Sequence, residues 1–267
     1  MTSKSEFGLL TSRDAGPVEI TNRDGRSLFL LLGDHAGNRV PERLASLGLN
    51  SVELSRHIAL DIGVGDLGRS LASELDAPFI AQRYSRLVID CNRALSHPDS
   101  IAKASDDTVI PGNASVAADQ RQARAHAIHN PYHEAIAALL DERAINGLKS
   151  IVVSLHSFTP LFSGISRPWQ VGVLYGGGND GFAKAVLSAL LHSDFVVGDN
   201  LPYQFDETDF TIPKHAIASG RPYVELEVRQ DMLGTHDQIA QMVRNLSRVL
   251  IEAASIIRNL ERSGRPS

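Results

Sequence analysis

Cysteine is almost absent from this chain: Cys91 stands alone among 267 residues, so no internal disulfide can staple the fold. Long apolar runs are missing as well, and none approaches the roughly 20 residues that a bilayer-spanning helix needs. Nor is there a surplus of positive charge. With 26 basic against 31 acidic residues the formal charge is −5, which leaves no electrostatic footprint for nucleic acid or an anionic membrane surface. The first stretch, Met1 to Asp14, is polar and carries no apolar signal core. The expectation is a soluble, cytoplasmic protein whose partners are small polar molecules, with no nucleic acid and no membrane. Nothing in the sequence sets an oligomeric state.

What is present is ordinary globular composition, 43% hydrophobic and 21% charged, enough to bury a large core. Short apolar runs predict strands at Leu28–Gly33, Pro78–Ala81, Leu87–Asp90, Ile151–Leu155, Gln170–Tyr175, Phe195–Val197 and Tyr223–Val228. Between them Val64, Leu67, Leu71 and Leu75 mark a helical face. A longer helix is expected from Asp119 to Ile145, kinked or restarted at Pro131. Thr235 and Gln238 have capping-box spacing ahead of a last helix carrying Ile239, Met242, Leu246, Val249, Leu250 and Ile257. No repeat, low-complexity tract or linker interrupts Leu28 to Leu260, so residues 1–267 read as one three-layer α/β domain. The ends, before about Ser27 and after Glu261, read as trimmings.

Chemistry in open α/β sheets gathers at the carboxyl ends of strands, and two of the expected strands run into histidines. Ile151 to Leu155 leads into His156-Ser157-Phe158-Thr159, and Phe29 to Gly33 into Asp34-His35-Ala36-Gly37-Asn38. Either histidine could merely cap its strand. Brought together, two imidazoles would leave a zinc ion needing one more protein ligand, with water in an open position. Asn38 and Asp61 are the candidates. A neutral amide is the poorer zinc ligand, which favours Asp61, although a carboxylate just before a helix can equally serve as its N-cap.

Arg86 and Arg93 flank the apolar run Leu87–Asp90, with Asn92 beside the second. A guanidinium binds a carboxylate through two parallel hydrogen bonds, and a neighbouring amide can complete the clamp. The plain alternative is an ion pair of either arginine with Asp90, which itself reads as an orienting group. Further on, Tyr223-Val224-Glu225-Leu226-Glu227-Val228-Arg229 puts both glutamates on one face of a strand. Glu227, nearer the carboxyl end, suits a general base and proton donor for hydrolysis. Glu225 is the fallback, and a pair with Arg229 the structural alternative. His129, Tyr132 and His133 on the long helix, Arg167 before Pro168, and His215 in the loop preceding the Glu227 strand could line a pocket or serve structure. Gly176 to Gly178 reads as a turn, since no Lys-Ser/Thr comes after it.

Ser154-Leu155-His156-Ser157-Phe158, Ile89-Asp90-Cys91-Asn92-Arg93 and Glu227-Val228-Arg229-Gln230-Asp231 resemble signatures of zinc carboxypeptidases. With Asp34-His35-Ala36-Gly37-Asn38, Tyr84-Ser85-Arg86 and Pro131-Tyr132-His133 added, the chain more closely resembles the N-formylglutamate amidohydrolase family from about Leu28 to Leu250. That resemblance implies a phosphorylase/hydrolase-like α/β/α sandwich with a mixed, mostly parallel sheet. It implies zinc on His35 and His156, Glu227 as base, and Asn92 with Arg93 on a substrate carboxylate, assisted by Arg86. The carboxypeptidase glutamate three residues after the first histidine is here Asn38, so Asp61 takes the third metal position by inference. The substrate implied is an N-formyl or N-acyl acidic amino acid such as N-formylglutamate. A peptide terminus, another N-acyl amino acid, or a carboxylate-binding protein without hydrolysis are the alternatives.

Overall fold

The computed structural model describes residues 8–263. Strands β1 (Val18–Thr21), β2 (Phe29–Gly33), β3 (Phe79–Gln82), β4 (Ile151–Phe158), β5 (Val171–Leu174), β6 (Val197–Asp199) and β7 (Tyr223–Arg229) form one sheet. Their spatial order is β1-β3-β2-β4-β7-β5-β6. The four strands β3, β2, β4 and β7 run parallel; β5 reverses direction against β7 and carries β6 parallel to itself, and β1 lies antiparallel on β3. The sheet is thus mixed and mostly parallel, as expected.

Helices α1 (Val64–Glu74), α4 (Gly181–Leu191) and α6 (His236–Ser263) cover one face; α2 (Ala118–Arg124), α3 (Asn130–Ile145) and α5 (Thr211–His215) lie on the other. Side chains alternate along a strand, so Leu31, Val153, Leu155, Val224, Leu226 and Val228 pack under α1, α4 and α6. Leu30, Leu32, Val152 and Tyr223 pack under the second layer. Complete burial of each such aliphatic side chain contributes about 1.5–3 kcal/mol. On that second face the apolar pattern stops halfway along the central strands, where Ser154, His156, Glu225 and Glu227 take over, all buried.

Four expectations are corrected. Leu87–Asp90 is no strand: its side chains are buried, but in place of a strand ladder its Val88 and Asp90 N–H groups reach the Ser85 and Ser100 carbonyls and two of its own carbonyls are served by side chains. Asn113 Nδ2 donates to the Leu87 carbonyl at 2.8 Å and Arg124 Nη1 to that of Val88 at 3.0 Å. The strand expected at Phe195–Val197 is shifted to Val197–Asp199, and β4 runs on to Phe158, so His156 lies within it. The segment before Ser27 is no trimming, because β1 pairs with β3 from Val18↔Gln82 to Thr21↔Phe79. At the other end, Glu261 still belongs to α6, while residues 264–267 and 1–7 lie outside the described residues.

The long helix divides where Pro131 demands it. Ala125–His129 forms one wide π turn, the Asn130 N–H reaching the Ala125 carbonyl, before α3 begins. Proline lacks an N–H and its ring crowds the preceding turn, and the widened turn absorbs both. At α6, Thr235 Oγ1 accepts from the Gln238 N–H at 3.2 Å, half of the expected capping box; the Gln238 side chain bonds the Asp231 carbonyl instead. Among the described residues no helix is long and apolar enough to cross a membrane.

Candidate functional site

β2 and β4 are adjacent, with Leu32 beside Ser154, so the turn leaving β2 meets the last residues of β4 at the carboxyl edge. His35 and His156 converge there, and Asp61 joins them through its backbone N–H, which donates to the His35 carbonyl at 2.9 Å. Asp61 Oδ2 lies 2.9 Å from His156 Nδ1 and 3.4 Å from His35 Nδ1. One donor atom from each of the three buried residues falls within 4.8 Å of the others, a grouping able to hold a metal ion. Asp61 does not cap α1, whose start has no side-chain cap. Asn38 is exposed and donates to the Leu54 carbonyl at 2.9 Å.

Behind the histidines stand carboxylates. His35 Nε2 is 2.7 Å from Asp90 Oδ1; His156 Nε2 is 3.0 Å from Ser154 Oγ and 3.4 Å from Asp34 Oδ2. Asp34 also accepts from Thr211 Oγ1 at 3.0 Å. Burial disfavours ionisation of Asp34, yet His156 and His35 outweigh it and hold its carboxyl at about 2. Burial pushes Asp61 upward in the same way, and the same two imidazoles overcome it, keeping that carboxyl well below the usual range. Each imidazole thus shows Nδ1 to the common centre and has its far nitrogen oriented, as metal-binding histidines do. His35 Nδ1 is buried without a hydrogen-bond partner among the described residues, a gap that a metal ion fits. A carboxylate with two oriented imidazoles suits a divalent transition metal.

A cavity of about 250 Å³ opens beside this group. The arginines and Asn92 line it, though each is partly engaged. Arg86 Nη2 bonds Asp90 Oδ2 at 2.8 Å and its Nη1 lies 3.5 Å from Asp61, so the ion-pair alternative holds for this arginine. Arg93 Nη1 donates to the carbonyl and hydroxyl of Thr208 at 2.7 and 2.8 Å. Asn92 Oδ1 accepts from the N–H groups of Phe210 and Thr211, and its amide donates to Asp209 at 3.2 Å. Asn92 therefore secures the loop leading into α5.

Glu225 and Glu227 sit beside Ser154 and His156 in the β4–β7 ladder and line the same cavity. Each has a buried oxygen with no hydrogen-bond partner, and burial pushes both carboxyls up to about 8. Arg229 turns away from Glu227 to Asp231, at 2.8 Å. Arg167 does not line the cavity but packs on Tyr203, which does. Its guanidinium stacks 4.6 Å from the Phe162 ring and 4.8 Å from that of Tyr203, bonding the Tyr203 hydroxyl at 2.9 Å.

His129, Tyr132, His133 and His215 are buried and line none of this cavity. His215 lies in α5, not in an open loop, 2.9 Å from His133 Nδ1. His133 and His129 bond the carbonyls of Cys91 and Arg93 on either side of Asn92. The residues missed by sequence reasoning are Asp34, Thr211, Tyr203 and Asp209. Only Asp34 carried a signal, a charged residue placed directly at a strand end. A larger cavity, about 680 Å³, lies at the opposite strand ends beside Leu28, Ile151 and Pro222, away from this chemistry.

Comparison with known proteins gives this arrangement its class, an amide-hydrolysing enzyme. Residues 27–233 match the N-formylglutamate amidohydrolase family, and the chain belongs to that family. The crystal structure of gene product Atu2144 from Agrobacterium tumefaciens is similar at 30% identity and a TM-score of 0.90, over 94% of this chain and 99% of that one. An N-formylglutamate amidohydrolase from Ralstonia eutropha JMP134 shares the fold at 17% identity and a TM-score of 0.65, over 92% and 99% of the two chains. A separate comparison with curated proteins found no match.

Proposed function

We propose that the chain is a zinc-dependent amidohydrolase that removes the N-formyl, or another short N-acyl, group from an amino acid, with N-formylglutamate as the reference substrate. The observation that carries this reading is the convergence of His35, Asp61 and His156 within 4.8 Å, next to Glu227 in the adjoining strand. His35, His156 and Asp61 would hold the ion, matching the two-histidine, one-carboxylate sets of catalytic zinc sites with an open position. Bound there, zinc supplies Lewis-acid chemistry, acidifying water and polarising the amide carbonyl.

The chain's own groups do the rest. Glu227 takes the proton of the attacking water as the new C–O bond forms, then delivers it to the nitrogen as the C–N bond breaks. The products are formate, or the corresponding acid, and a free amine. Arg93 has guanidinium N–H groups beyond the one bonded to Thr208, and these suit a substrate carboxylate. Asn92 sets the loop against which Arg93 is held, and Arg86 places positive charge beside Asp61. With the carboxylate fixed, the scissile amide is oriented toward Glu227.

The test joins metal analysis of the purified protein to formate release from N-formyl-L-glutamate and from other N-formyl and N-acetyl amino acids. Expected are near-stoichiometric zinc and turnover abolished by a chelator. Glu227→Gln should lower kcat about 10²–10⁴-fold while leaving zinc content unchanged. Normal rates in Glu227→Gln would remove Glu227 from the role of base.

A further inference from the structure

In the hydrolytic reading Arg93 takes the substrate's carboxylate, yet it stands on a segment with no strand ladder to hold it. The Arg93 N–H turns back to the Asp90 carbonyl at 3.3 Å, and the carbonyls of Cys91 and Arg93 meet two histidines. His129 Nε2 is 3.1 Å from the Arg93 carbonyl and His133 Nε2 is 2.9 Å from that of Cys91. His129 and His133 are four residues apart and share a helix face, about 6 Å along the axis. That step spans two residues of the facing segment, so each ring finds a carbonyl.

A carbonyl only accepts, so each of these Nε2 atoms carries a proton and donates. His133 Nδ1 is then a bare acceptor, and His215 Nε2 donates to it at 2.9 Å. A line of hydrogen bonds thus runs from α5 through His133 to the Cys91 carbonyl. All three rings are buried, where leaving a carbonyl without its donor is costly.

The same rings support the other end of Arg93. The Phe210 ring centre lies 5.5 Å from that of His129 and 5.0 Å from that of His133, and the Phe210 N–H donates to Asn92 Oδ1 at 3.1 Å. Two residues earlier, the carbonyl and hydroxyl of Thr208 accept from Arg93 Nη1, with Asp209 3.7 Å from the same nitrogen. Arg93 is gripped at its carbonyl and at its guanidinium, and both grips lead back to the histidines.

We propose that His129 and His133 are positioning residues for substrate recognition: they fix Arg93, and so set where the substrate's carboxylate lies relative to Glu227. Neither lines the cavity, so both act through Arg93. A clamp already ordered before the substrate arrives loses no affinity to ordering on binding. The role rests on the amidohydrolase reading for the assignment of Arg93 to the carboxylate.

The test measures binding of N-formyl-L-glutamate by calorimetry in the zinc-loaded Glu227→Gln protein. His129→Leu, His129→Gln, His129→Asn and Arg93→Ala are added singly, and His129→Leu also together with Arg93→Ala. His129→Leu should raise Kd about 10-fold. His129→Gln, whose amide nitrogen reaches as far as Nε2, should restore the affinity, and the shorter His129→Asn should not. On the Arg93→Ala background His129→Leu should add less than about 2-fold. With Glu227 in place, His129→Leu should raise KM for formate release and leave kcat within about 3-fold. Where His129→Leu does not fold, the gap in Kd between His129→Gln and His129→Asn decides. Equal losses with and without Arg93, a His129→Gln protein as weak as His129→Asn, or a lowered kcat at unchanged KM would overturn the positioning role while the hydrolytic reading stands. Binding that follows this pattern in a protein whose wild type releases no formate would uphold the positioning role and overturn the hydrolytic reading.

Discussion

At the scale of single residues, Asp34 and His35 are chain neighbours that serve different imidazoles: His35 is oriented by Asp90, and Asp34 turns to His156. Losing such an orienting carboxylate typically lowers metal affinity about 10–100-fold. Asp34→Asn should therefore weaken zinc by about that factor, read in competition with a chromogenic chelator. Unchanged affinity would mean that Ser154, at 3.0 Å, orients His156 alone. The sequence made His35, His156 and Asp61 readable because strand ends and a helix start are local patterns. Asp34's partner was not readable, since a carboxylate meeting an imidazole across the sheet has no spacing rule. The arginines were half readable: their charge was evident, but their engagement with Asp90 and Thr208 is a tertiary outcome.

At the scale of elements, the π turn, α3 and α5 bring His129, His133 and His215 together, His133 stacking on His215 at 5.2 Å and meeting Phe210 edge to face at 5.0 Å. Burial lowers His133 to about 3 and His215 to about 4. Above pH ~6.5 neither folded nor unfolded chain protonates them, so their contribution is level there. As pH falls below that, the unfolded chain gains protons that the folded chain refuses. The contribution of each histidine should decline by up to about 1.4 kcal/mol per pH unit until pH nears ~4, against an opposite slope from Glu225 and Glu227, whose raised carboxyls hold protons in the folded chain first. Urea midpoints of wild type and His215→Phe at pH 7 and pH 5 separate the two: the variant should lose less stability, or gain more, than wild type on going to pH 5. Periodicity revealed α1 and α6 because each buries one regular face, and five of the strands showed as short apolar runs because they are buried on both faces. That signal failed at Leu87–Asp90, where burial under α2 and α3 makes a coil as apolar as a strand, and Asn113 and Arg124 stand in for ladder partners.

At the scale of the whole molecule, the edge strand β1 shields β3. Its cover includes the Tyr84 hydroxyl on the Ala15 carbonyl at 2.6 Å and the Arg83 N–H on that of Pro17 at 2.9 Å. This strand escaped notice because it is short and half-exposed. Deleting residues 1–22 should cost about 1 kcal/mol for each lost hydrogen bond and open an unpaired edge to association. A lowered denaturation midpoint with increased light scattering is the expected outcome. The crossed pairing of histidines and carboxylates has a kinetic side. His35 and Asp90 are 55 positions apart, and Asp61 and His156 are 95 apart. Those contacts close only after large chain loops have been gathered, which chain entropy postpones. Zinc should then act as a latch on the finished topology and not as a nucleus for it: in stopped-flow experiments with and without chelator, the ion slows unfolding and leaves the refolding rate unchanged.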